Sequence, residues 1–144
     1  MKKLSKSALL SAAALAVFLA SCSGSGAVTV RDVWSRPVPP VSPASAVFLE
    51  ITNDLDTAVT LTGASSDSCG SMELHETTMD DAGVMAMQPL VEGLKVEPGT
   101  SSLLAPRGIH LMCLEPEVFE GSFEVELMID GADAITATAI IEDR

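Results

Sequence analysis

The chain has 144 residues, 47% hydrophobic, 19% charged and 3% aromatic, with 20 acidic side chains against 8 Lys and Arg for a net charge of −12. That length supports one domain with a self-sufficient core. The acidity argues against a nucleic-acid partner, which needs a basic face to neutralise phosphates, and the apolar content argues against a disordered acidic tail.

The first predicted element is a signal. Lys2, Lys3 and Lys6 precede an uncharged apolar run from Ala8 to Ala20, the pattern of a secretory signal peptide. The run is shorter than the roughly 20 apolar residues that a membrane span needs. Its end, Leu19-Ala20-Ser21-Cys22, resembles the lipobox of bacterial lipoproteins. The resemblance implies removal of residues 1–21 and a diacylglyceryl group on the Cys22 sulfur. The alternative is ordinary cleavage near Ala20 with Cys22 an incidental thiol, which suits export poorly. The remaining 123 residues keep all 20 acids but only 5 Lys and Arg, a net −15. An anionic membrane surface repels such a domain, so the lipid must hold it there. Residues 22–26 are expected to form a lipidated flexible tether and 27–144 the domain. The expected location is outside the cytoplasm, anchored to the outer face of the cell membrane or in the periplasm.

From residue 27 the apolar pattern has period two, in short runs broken by turn residues. Pro37, Pro39, Pro40 and Pro43 make a stiff loop unable to occupy a central strand. Residues 46–51 and 59–63 read as strands flanking the turn Asn53-Asp54-Leu55-Asp56, and 72–77, 84–88, 101–105 and 109–114 as further strands. Phe123, Val125, Leu127 and Ile129 alternate with Glu124, Glu126 and Met128; residues 135–141 repeat the alternation. After the signal, no run of about 12 residues has a convincing helical period. About seven to nine short strands predict an all-β fold, an antiparallel sandwich or Greek-key barrel.

Hydrolytic motifs are missing. There is no G-x-S-x-G elbow and no P-loop, and His75-Glu76-Thr77-Thr78-Met79 has Met79 where H-E-x-x-H needs its second histidine. Sulfur and imidazole are distributed differently. Six methionines follow the signal, and five of them, with both histidines, fall within residues 72–112. His110 and Met112 are two apart on a predicted strand, so both leave the same face; Met85 and Met87 repeat that relation. Met72 shares a face with Leu74 and reads as core, Met128 reads as surface, and Met79 is open to either reading. Neutral imidazole with thioether sulfur selects a soft monovalent ion, copper(I). Thioethers also survive the oxidising exterior, where exposed thiolates do not.

Beyond composition, several segments resemble the PCuAC family of periplasmic copper chaperones. They are Val33-Trp34-Ser35-Arg36, Leu61-Thr62-Gly63-Ala64-Ser65-Ser66, Glu73-Leu74-His75-Glu76-Thr77, Val84-Met85-Ala86-Met87-Gln88-Pro89, Glu92-Gly93-Leu94 and Gly108-Ile109-His110-Leu111-Met112. The resemblance implies a cupredoxin-like β-sandwich and a copper(I) chaperone, not an enzyme. Such a protein holds one ion and delivers it to a copper-accepting protein, a cytochrome c oxidase subunit. A copper buffer or sensor with no dedicated acceptor is the alternative. The family motif H-x10-M-x21-H-x-M maps onto His75, Met87, His110 and Met112, with each of the two long intervals one residue longer here. That shift leaves Met85 as a competitor for the place of Met87.

Cys69 and Cys113 remain. On a strand, Cys113 points away from the face carrying His110 and Met112 and is a poor co-ligand. A blue-copper site, with its Cys and two His, is not supplied. Two cysteines left in an exported domain suggest a disulfide, with two buried thiols as the alternative.

Overall fold

Among the described residues the period-two pattern folds into ten β-strands. A computed structural model describes residues 26–118 and 120–144; the expected signal segment, Cys22 and the tether up to residue 25 lie outside the described residues. The strands are β1 (Val28–Ser35), β2 (Ala44–Asn53), β3 (Val59–Ser65), β4 (Cys69–Met79), β5 (Met85–Pro89), β6 (Leu94–Val96), β7 (Thr100–Leu104), β8 (Ile109–Pro116), β9 (Ser122–Asp130) and β10 (Ile135–Ile141). Among the described residues no helix is long and apolar enough to cross a membrane.

Strand order is β5-β4-β8-β2-β1-β10-β9-β3-β6, with β7 pairing β2 alongside β8. The expected all-antiparallel sheet is corrected at one place: β1 and β10 run parallel, with Trp34 opposite Ile140. These are the first and last strands of the domain. No short hairpin joins them, so nothing in the connection forces the antiparallel sense. β3 also lies against β4 without being its ladder partner, which folds the two limbs of the sheet over one core.

That core is the aliphatic set that the alternation selects. Val47, Leu49, Ile51, Leu61, Leu111, Val125 and Leu127 are fully enclosed, each worth about 1.5–3 kcal/mol relative to exposure. β9 alternates strictly between exposed and buried positions along its length. Asn53, buried at the end of β2, donates from Nδ2 to the carbonyls of Thr57 (2.8 Å) and Val96 (3.0 Å) and accepts from the Leu55 amide (3.0 Å). One side chain thereby satisfies the β2–β3 turn and ties it to β6.

Two features of β1 prepare the site. A bulge between Arg31 and Trp34 shifts its register on β2, and Asp32 takes φ 54° there. The extra residue sets Trp34 opposite Phe48. Their rings lie 4.6 Å apart, and the Arg144 guanidinium sits 5.0 Å from the Trp34 ring. Next to the bulge Arg31 binds Glu50 at 2.7 Å, and that hydrogen bond holds the half-buried Glu50 carboxyl below the usual range.

Candidate metal centre

β4 and β8 pair in an unbroken antiparallel register: Glu73 faces Met112, Leu74 faces Leu111, and His75 faces His110. Leu74 and Leu111 belong to the main core. Alternation therefore turns Glu73, His75, His110 and Met112 to the opposite face. β2 adds Ala46, opposite Met112. β5 adds Met87 opposite Thr77 and Met85 opposite Met79, on the same face as His75.

The two histidines form the middle row of this arrangement. Met112 lies one two-residue step from it in one direction, Met87 one step in the other, and Met85 two steps. Each step is about 7 Å along a strand. Across the strands runs a row of four rings: Trp34 on β1, Phe48 on β2, His110 on β8 and His75 on β4. Phe48 and His110 are 6.3 Å apart and His110 and His75 6.1 Å apart, centroid to centroid.

Each imidazole has one nitrogen committed. His110, only 3% exposed, donates from Nδ1 to the Gly108 carbonyl at 3.0 Å, and the same carbonyl accepts the Thr77 amide at 3.2 Å. A carbonyl only accepts, so the proton is on Nδ1 and Nε2 keeps its lone pair. His75 donates from Nε2 to Glu73 Oε2 at 2.8 Å. Its Nδ1 is buried and has no hydrogen-bond partner. An orphaned buried acceptor costs about 1–3 kcal/mol and calls for an explanation. A metal ion supplies one, and a carboxylate behind the ligating histidine is the usual outer support.

A cavity of about 440 Å³ opens over this face, lined by Arg36, Ala46, Phe48, Thr77, Met85, Met87, Pro106, Arg107 and His110. Met85 and Met87 are 51% and 59% exposed, so the thioethers stand at the surface and His110 at the back. Among the described residues no three His, Cys, Asp or Glu side chains come together as a metal site. The cavity wall gathers the His110 imidazole with Met85 and Met87, while His75 and Met112 share its sheet face without lining it; imidazole and thioether are donor types suited to soft ions.

Met72 lies on the core side, packed against the main cluster, and Met128 is on β9 opposite Gly63, away from the histidines. Cys69 and Cys113 are bridged, with Cα atoms 5.5 Å apart. Cys113 faces Met72 across the β4–β8 ladder, on the opposite side from His110 and Met112. Glu73, Arg36, Arg107 and the Gly108 carbonyl belong to the site without having been singled out from sequence. Glu73 was within reach, because it sits two residues before His75 on one strand and so shares its face.

A family model described as "Putative lipoprotein LpqE-like" matches residues 28–141. The chain belongs to the LpqE-like family. A curated relative, "Putative lipoprotein Lxx21020" of Leifsonia xyli subsp. xyli, is 31% identical over 87 residues. The match covers 60% of this LpqE-like chain and 51% of the relative, so the chain spans about half the length of the curated protein it matches. Among solved structures, the copper-bound PCuAC domain from PmoF2 matches with a TM-score of 0.67 at 18% identity, over 83% of this chain and 96% of that one. The copper(I) form of DR1885 from Deinococcus radiodurans matches at 0.58 and 23% identity, over 85% and 81%. The LpqE-like domain thus has the cupredoxin-like fold of PCuAC domains.

Proposed function

We propose that this protein is an extracytoplasmic copper(I) chaperone without catalytic turnover, holding one ion through His75, Met87, His110 and Met112. The observation that carries this reading is the pair of facing imidazoles, each with one nitrogen held by an oxygen acceptor and the other bare, between two thioethers. The ligating atoms are then His75 Nδ1 and His110 Nε2, joined by the Met112 and Met87 sulfurs. Met87 is favoured over Met85 because it is one step nearer the histidine row. The copper-bound state of the PmoF2 domain and the copper(I) state of DR1885 support the choice of cargo.

The arrangement suits hand-off. The histidines hold the ion from behind, and an acceptor's ligands approach from the exposed methionine side. One Cu–S bond breaks as the acceptor's bond forms, and the ion leaves as copper(I) with no electron or proton transferred. Because no ligand is anionic, departure leaves no buried charge. The proposed acceptor is a copper protein, a subunit of cytochrome c oxidase. Lipidation at Cys22 confines the chaperone to the membrane surface, where such a partner sits. The test is copper(I) stoichiometry followed by transfer to an oxidase copper domain. One ion per chain that moves to the acceptor supports a chaperone, and one ion that stays put makes the protein a buffer.

A further inference from the structure

Met79 and Met85 are the part of the methionine stripe that the four-ligand site does not use. They are direct cross-strand partners at the turn end of the β4–β5 hairpin, with Thr78 opposite Ala86 and Thr77 opposite Met87 behind them. Both stand on the face that carries His75. They are 66% and 51% exposed, an unusual place for two thioethers that would otherwise fill a core.

The turn beyond them is tightly tied. Asp80 accepts the amides of Ala82 (2.9 Å) and Val84 (2.8 Å) on Oδ1, its own amide bonds to the Val84 carbonyl at 3.0 Å, and Gly83 takes φ 79°. These bonds fix the register, so the two methionine Cβ atoms are held at the separation of a cross-strand pair, about 4.5–5.5 Å. Flexible thioethers on such a pair can close on one soft ion. Met87 follows one step inward, and Met85 also lines the cavity reached by His110.

We infer that Met79 and Met85 form a second, weaker soft-metal site at the hairpin tip, a loading and unloading station for the ion held at the histidines. The inference rests on the copper(I) reading of the inner site. An ion at the tip exchanges the two outer sulfurs for Met87 and then the imidazoles, or the reverse. No redox or proton step is involved. With only neutral sulfur donors and open solvent, the tip binds more weakly than the inner site and releases more readily.

Silver(I), a soft monovalent ion inert to redox cycling, is the probe. The protein carrying 13C-labelled methionine methyls is titrated while methyl and imidazole resonances are followed. The first equivalent should shift His75 and His110, which reports on the chaperone reading separately. The second should shift the Met79 and Met85 methyls. In a Met79→Leu variant the first equivalent should bind unchanged and the second should be lost. Met79 and Met85 methyls that stay still beyond one equivalent overturn the inference, as does a Met79→Leu variant that keeps its second equivalent.

Discussion

His75 and His110 face each other directly across the β4–β8 ladder, their ring centroids 6.1 Å apart. The two rings are oriented by different acceptors: a carboxylate from the same strand for His75, and a backbone carbonyl from the β7–β8 turn for His110. Removing either imidazole should therefore weaken copper(I) binding without unfolding the sheet around the other.

His110→Ala and Met112→Leu should each lower copper(I) affinity by at least about tenfold, or ~1.4 kcal/mol. Met128→Leu, on β9, should leave it unchanged. Competition with a chromogenic copper(I) chelator measures all three. Equal affinity for the Met112 and Met128 variants would remove Met112 from the ligand set.

Met87→Leu should cost more of the first-equivalent affinity than Met85→Leu, because Met87 is one strand step nearer the histidines. The same competition assay ranks the two. The reverse order would hand the ligand place to Met85.

Glu73→Gln keeps the shape beside His75 but replaces the charged acceptor of its Nε2–H. Loss of an outer-shell partner typically costs about 10–100-fold in metal affinity. Glu73 is half-exposed, so the lower end is expected. A variant that binds copper(I) as tightly as the wild type would show that His75 needs no carboxylate to be oriented.

Much of this architecture can be read from the chain. The alternation of β9 and β10 appears in the sequence, and so does the shared face of His110 and Met112, because both are local. The pairing of His75 with His110 cannot be read that way. It depends on how the chain between residues 89 and 108 spends its length on β6, β7 and their turns, and β6 has only three residues. The parallel pairing of β1 with β10 is hidden for the same reason, joining the two ends of the domain. β1 is masked further by its bulge, which breaks the period-two pattern at Asp32. Glu73 was legible by face but has no distinguishing feature among 20 acids.

The Cys69–Cys113 bridge spans 44 residues and encloses His75, Met87, His110 and Met112. Closing a loop of this length stabilises by roughly 4 kcal/mol in the chain-entropy picture. Reduction should lower the denaturation midpoint accordingly, followed through the fluorescence of Trp34, the chain's single tryptophan. Labelling the unfolded, unreduced protein should find neither Cys69 nor Cys113 reactive; two reactive thiols there would mean that the bridge is absent.

Anchoring has its own test. Cys22→Ala should release the protein from the membrane fraction, since the −15 of the remaining chain offers no electrostatic substitute. Wild-type protein found only in the soluble extracytoplasmic fraction would contradict lipidation.

X-ray absorption at the copper edge of the protein loaded with one equivalent of copper(I) tests the ligand set most directly. A mixed shell of imidazole nitrogen and thioether sulfur is expected, with the sulfur contribution reduced in Met112→Leu and the imidazole contribution reduced in His110→Ala. A shell of nitrogen and oxygen alone, unchanged in both variants, would contradict it.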